Sequence, residues 1–220
     1  MAACSAIPVD PYVVPVDLLS EIQRKKVEHV LEDVAAVVPL EPADVKSRLE
    51  IYHFLLDEMP FTGGIVRELG RGKWQITRDP KDPDAFTVLD PDGYRLRFDL
   101  IRKEEQRRFY VTSGIFEMGI LPALEGSTLV VMRMVPDGAV IKTDAVVYVR
   151  VETPFYANLA KAARGLLEGK VRERSEFFIK AARWVAEESA SRPDWLVMQV
   201  DGSREVDQAV LGEFRKRFLK

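Results

Sequence analysis

The sequence predicts an α+β fold in which a curved antiparallel sheet wraps a long C-terminal helix. Three observations predict it. Between Trp74 and Val151 apolar residues alternate with polar ones at a period of two. Between Phe155 and Val185 they recur at three- and four-residue spacing. The two patterns occupy separate stretches of chain, which argues for segregated layers and against a doubly wound sheet.

The chain has 220 residues, 47% of them hydrophobic and 30% charged. That is enough apolar material for a sizeable core, and the composition is not that of a disordered chain. A formal net charge of −3 creates no field that would draw in nucleic acid, so no nucleic-acid partner is expected. The one cysteine, Cys4, cannot form an internal disulfide. No run of 18 apolar residues predicts a membrane span, and no basic region precedes Asp10 as in a secretory leader. The default location is cytoplasmic.

Pro8, Pro11 and Pro15 predict an extended N-terminal arm. Asp17 caps a short helix through about Lys26. From Glu28 to Val38 the β-branched second half and the stop at Pro39 favour a strand, with a helix continuing from Asp17 as the alternative. Pro42 opens a helix on which Val45, Leu49, Tyr52, Leu55 and Leu56 share a face to about Glu58. Pro60 breaks it, and a second short helix spans about Thr62 to Leu69, ending at Gly70.

Strands follow over Lys73 to Arg78 and Phe86 to Leu89, then from Tyr94 to Leu100, where Leu96 and Phe98 alternate with Arg95, Arg97 and Asp99. The run from Asp90 to Gly93 is a strong turn signal. Lys103 to Gln106 is a polar reversal, and Phe109, Val111, Ser113 and Ile115 continue on the returning strand. Gly119, Pro122 and Gly126 punctuate the next stretch. Two more strands run from Thr128 to Val135 and from Ala139 to Val151, joined by Pro136, Asp137 and Gly138. Thr153 then caps the long helical tract with Pro154 in its first turn, Gly165 and Gly169 mark a kink or break, and Pro193 closes it. An apolar run from Trp195 to Val200 and a last helix from Ser203 to Phe218 complete the chain. The division is an arm with a short helix (1–27), the main domain (28–190) and a C-terminal extension (191–220).

Three pieces of this text carry a resemblance: Tyr52 to Pro60, Gly70 to Ile76, and Lys170 to Arg174 ahead of Phe177 and Phe178. With the order of elements, they make the stretch from about Glu28 to Ala190 resemble the START-like, or helix-grip, superfamily, which includes birch-pollen-allergen-type proteins and bacterial cyclase/dehydratase-like domains. The 25 to 30 extra residues at each end depart from a minimal domain of that kind. The resemblance implies a cavity between sheet and helix that accepts lipids, polyketides, sterols or other apolar molecules. A concave apolar cleft is also the default ligand site on general grounds.

The predicted pocket wall is Trp74, Ile76, Leu96, Phe98, Phe109 and Val111 from the sheet, facing Phe155, Leu159 and Leu166 from the helix. Each of these is also an ordinary core candidate. Arg133 shares parity with Leu129, Val131 and Val135, which aims it at the apolar side to meet an acid or an anionic head group; in the alternative, Val130, Met132 and Met134 form the buried face. Thr143 and Ser113 fall on the same inner parity as hydrogen-bonding candidates. His29 and His53 have no second metal ligand at regular spacing. The glycines at 63, 64, 70 and 72 lack a phosphate-loop pattern. No metal, cofactor or catalytic residue is therefore predicted. Arg215, Lys216 and Arg217, interleaved with Phe214 and Phe218, allow transient contact with a membrane surface, although neighbouring acids favour plain solvated surface.

The function these features favour is binding or carriage of an apolar or amphipathic small molecule. Burying about 300 Å² of apolar ligand surface would contribute roughly 7 to 8 kcal/mol before association costs. Two rivals make different predictions. A cyclase or dehydratase needs at least two titratable side chains converging inside the cavity. An interaction module needs a solid core and an exposed apolar patch at Trp195 to Val200 or at Phe214 and Phe218.

Overall fold

Eight antiparallel strands form one sheet, and helices cover both of its faces. The computed structural model describes residues 12–91, 94–118, 121–152 and 164–219. The strands are β1 (Ala36–Pro39), β2 (Ala43–Val45), β3 (Gln75–Asp79), β4 (Asp82–Leu89), β5 (Arg95–Lys103), β6 (Arg107–Met118), β7 (Leu121–Asp137) and β8 (Val140–Val151). Their order is β1-β8-β7-β6-β5-β4-β3, with β2 also paired to β8. The helices are α1 (Glu21–Glu32), α2 (Leu49–Asp57), α3 (Met59–Glu68), α4 (Arg164–Ser191), α5 (Pro193–Val200) and α6 (Gln208–Phe218).

The first correction to the sequence reading is at the N-terminus. Val16–Leu18 form a single 3₁₀ turn, and Ser20, not Asp17, caps α1: its hydroxyl accepts from the Gln23 amide while the Gln23 side chain accepts from the Ser20 amide. The helix runs to Glu32, through the stretch favoured as strand, and only Ala36–Pro39 are extended. Glu, Arg, Lys, Gln and Leu dominate Glu21–Glu32, and their helix propensity outweighs the valines once a capping box nucleates the turn.

Smaller corrections follow the same logic. Ala43–Val45 pair with β8 before α2 begins at Leu49. Pro60 starts α3 from within its first turn, a position where a missing N–H costs nothing. Pro193 likewise opens α5. Gly165 and Gly169 lie inside one uninterrupted helix. At the β7–β8 turn Gly138 has φ +62°, the left-handed conformation for which the turn reading required glycine.

The face toward α4 carries the main core. Tyr52 and Leu55 of α2, Phe61 and Ile65 of α3, and Ala182 and Val185 of α4 are buried there. Helix α6 docks on α2 and α3 through a cluster of Phe54, Phe61, Phe214 and Phe218, with ring centroids 5.2–6.0 Å apart. Phe214, Leu196 and Val200 are thus interior, in place of the exposed patch that the interaction-module reading requires.

Part of the opposite, convex face is also covered. Val27 and Val30 of α1 press on Ile101, Phe109, Val111, Leu129 and Val131. Polar contacts tie this cover down: Gln23 donates to the Ile101 carbonyl at 2.7 Å and Lys26 pairs with Asp99 at 2.9 Å. Beyond the end of β8, Glu152 accepts from the Ser127 hydroxyl at 2.6 Å and lies 2.9 Å from His29 of α1. Partial burial works to raise the Glu152 carboxyl, but the hydrogen bonds from Ser127 and His29 and the nearby Arg150 charge outweigh it and hold the group below its ordinary 4.5. A carboxyl depressed in this way stabilises the fold above its unfolded value and loses that contribution as pH falls through the lower folded value. Glu152→Gln is therefore expected to cost about 1 kcal/mol at pH 7, with the gap to wild type closing below about pH 4, as read by urea denaturation at both pH values. A gap that stayed constant down to pH 3 would remove Glu152 from this role.

Candidate functional site

Between the concave sheet face and α4 lies a pocket of about 100 Å³. Its wall on the sheet side is Phe86 from β4, Leu96 and Phe98 from β5, Tyr110 and Thr112 from β6, and Thr128, Val130 and Met132 from β7. Across from them α4 contributes Leu167, Val171, Phe178 and Ile179, and Leu56 and Met59 close the end beside α2 and α3. Phe98 stacks on Phe86 with centroids 5.0 Å apart and meets the Phe178 ring at 5.3 Å, so three aromatic rings fix one side.

Polar groups in the wall are mostly occupied. The hydroxyls of Thr112 and Thr128 bond each other at 2.7 Å, facing across paired positions of β6 and β7. Tyr110 donates to the Leu56 carbonyl at 3.2 Å. Burial, with the Asp57 charge adding to it, pushes the Tyr110 phenol well above its ordinary range, so it keeps its proton at neutral pH.

The rim is different in character. Lys170, Arg174 and Ser175 of α4 lie there with Tyr94 and Ile115, the last 52% exposed. Arg174 pairs with Asp90 at 3.2 Å and its guanidinium sits 4.0 Å from the centroid of the Tyr94 ring. Lys170 pairs with Glu173 at 3.1 Å on the outer surface of the same helix. Among the described residues that line the pocket there is no aspartate or glutamate.

The residues predicted from sequence are distributed as follows. Leu96 and Phe98 line the pocket. Trp74 and Ile76 do not; they line a separate hollow of about 10 Å³ with Gly63 and Phe177, and Trp74 stacks on the far side of Phe178 at 4.6 Å. Phe109 and Val111 lie on the convex face under α1. Phe155 and Leu159 are outside the described residues, as is the Leu166 side chain.

One structural detail explains the reversal of β6. Leu100 pairs with Tyr110 but Arg102 pairs with Phe109, leaving Ile101 as a bulged extra residue. Without the bulge Phe109, Val111 and Ser113 would face inward; with it Tyr110 and Thr112 do, because a one-residue slip exchanges the faces. The exchange carries over to β7, where Arg133 is opposite Arg107 on the convex side. Its partner is Asp144, 3.0 Å from Nε, which also accepts from the Tyr12 hydroxyl at 2.8 Å. Ser113 is exposed. Thr143 keeps concave parity opposite Met134, but its hydroxyl is taken by the Ala43 carbonyl at 2.9 Å.

Sequence reasoning missed Thr112, Thr128, Val171, Phe178 and the Lys170–Arg174 pair as pocket residues. The α4 members had a legible signal: Val171 and Phe178 are seven residues apart, and Lys170 and Arg174 four apart, so each pair shares a helix face.

The antiparallel sheet closed over a long C-terminal helix defines an α+β protein of the helix-grip class. No family model matches the sequence, and no curated protein matches it significantly. Solved structures similar to this chain include a conserved protein from Geobacillus kaustophilus, at 10% identity and a TM-score of 0.47, covering 70% of this chain and 96% of that one. Another is the di-domain ARO/CYC BexL from the BE-7585A biosynthetic pathway, at 13% identity and 0.47, covering 74% of this chain and 54% of that one, about half its length. A third is norcoclaurine synthase from Thalictrum flavum in complex with dopamine and hydroxybenzaldehyde, at 16% identity and 0.42, covering 71% and 89%. At these scores none of them bears on activity. No helix among the described residues is long and apolar enough to cross a membrane.

Proposed function

We propose that the protein binds and carries an apolar or amphipathic small molecule in the pocket between sheet and α4. The observation that supports this reading is unfilled apolar space enclosed by Phe98, Val130, Met132, Val171 and Phe178 in an otherwise packed core. Interiors are normally close-packed, and a gap forfeits dispersion contacts that a guest would restore. An apolar hole of about 150 Å³ accepts benzene; at about 100 Å³ this pocket is smaller, so a ring or a short acyl chain requires slight widening of the wall or projects in part through the rim.

The titratable side chains lining the described pocket are Tyr94, Tyr110, Lys170 and Arg174. Tyr110 retains its proton, and the two cations sit at the rim. Binding needs no proton transfer from any of them, which is why carriage is the preferred reading.

Filling the space tests it. Val130→Phe is expected to weaken binding of small apolar guests at least tenfold, by occupying the volume they need, while the thermal midpoint stays equal or rises. Native mass spectrometry of the purified protein, followed by calorimetric titration with short alcohols and alkylbenzenes, compares wild type and variant. A wild-type protein that emerges empty and takes up none of these compounds would overturn the proposal.

A further inference from the structure

We infer that the guest is an acid: an amphipathic molecule whose apolar body occupies the pocket and whose anionic head, a carboxylate, is held at the rim by Lys170 and Arg174. This rests on the binding role proposed above and adds the chemical class of the ligand. Three observations lead to it. First, Lys170 and Arg174 stand one turn apart on α4 and both line the pocket, so two cations share one edge of an otherwise apolar hole. Second, no acidic side chain is among the described lining residues, so a carboxylate entering there meets no like charge from the wall.

The third is the way the two cations are held. Arg174 is oriented by Asp90 and by the face of Tyr94, and only 28% of its side chain is exposed. A guanidinium has five N–H donors, and the contact with Asp90 at one terminal nitrogen leaves others to engage a second acceptor. Among the described residues Lys170 is engaged only by Glu173, whose side chain is 70% exposed. Exchanging such a surface partner for a ligand carboxylate costs little, because exposed pairs contribute at most about 1 kcal/mol. One cation is therefore preset in direction and the other is free to swing onto the head group. Ser175, beside Arg174, adds a hydroxyl at the same edge.

Matched guests that differ only at the head separate this inference from the binding role beneath it. Hexanoate with hexan-1-ol, and phenylacetate with 2-phenylethanol, are titrated calorimetrically at pH 7 in low salt. Each acid is expected to bind about tenfold tighter than its alcohol. The preference should shrink several-fold between 20 mM and 500 mM salt. In Lys170→Met with Arg174→Gln the ratio of acid to alcohol affinity should fall to within about twofold. The single Lys170→Met variant, at an exposed position, retains folding and is expected to lose part of the preference. If alcohols bind and acids bind no better, the head-group inference fails while the binding role stands. If neither series binds, both fail together.

Discussion

Asp57→Ala is expected to destabilise the fold by about 3–5 kcal/mol, the cost of leaving a buried charge without its counter-ion. Arg108 is the charge concerned. Its side chain is only 4% exposed, and its Nε donates to the Asp57 carboxylate at 2.9 Å. One terminal nitrogen also reaches the second Asp57 oxygen at 3.5 Å, and the other donates to the main-chain carbonyls of Glu104 and Arg107, which satisfy geometry but do not neutralise charge. Asp57 closes α2 while Arg108 is the second residue of β6, so the pair pins a helix end beside the pocket to the strand that supplies Tyr110 and Thr112. Replacing both partners, as in Asp57→Leu with Arg108→Met, is expected to recover most of the loss, since two desolvation costs vanish together. Urea denaturation reads both variants. A loss below about 1 kcal/mol in the single variant would mean that water reaches the guanidinium and the pair is an ordinary surface contact.

The second large effect separates the two faces of the sheet. Phe109→Ala should cost about 3–5 kcal/mol, as for a fully enclosed aromatic, because Phe109 has no exposure and packs among Val27, Val30, Leu129 and Val131. Affinity for a pocket guest should nevertheless stay within about twofold, measured well below the unfolding transition. Phe98→Ala reverses the pattern. Its ring is partly exposed, stacked on Phe86 and tilted against Phe178 at the pocket wall, so stability should fall less and guest affinity should change several-fold. If Phe109→Ala abolished binding while Phe98→Ala left it intact, the assignment of faces would be wrong.

The contrast between those two phenylalanines also shows what was legible in the sequence. Alternation from Leu96 to Leu100, the turn residues from Asp90 to Gly93 and the Gly138 turn placed strands and hairpins, because period-two burial and positive φ leave local marks. The helix stripes of Leu55, Leu56 and Val185 were equally readable. Faces were not. A single bulged residue, Ile101, reverses the faces of Phe109, Val111 and Ser113 on the strand that follows, and nothing in the order of amino acids announces where a ladder slips. The unbroken apolar run Leu129 to Met132 was a clue that both sides of β7 are buried, since a strand wet on one face must alternate. What covers the second side is α1, whose two buried valines are too sparse a stripe to outweigh the β-branched residues that follow. The candidate site was half visible for the same reason: Leu96 and Phe98 on β5 face α4, whereas Phe109 and Val111, beyond the bulge, face α1.

The cover provided by α1 has a mechanical consequence for how the protein could take in something larger than its resting hollow. Between Ile101 and Val131 the sheet is braced from behind, so this wall cannot recede without tearing open a second hydrophobic layer. Room must come from the opposite side. There α4 meets the hollow with single side chains such as Val171 and Phe178, and outward travel of that helix by an ångström or two would widen the chamber while every strand pairing stayed intact. On that expectation the braced sheet is a fixed shell and α4 the jaw that would move.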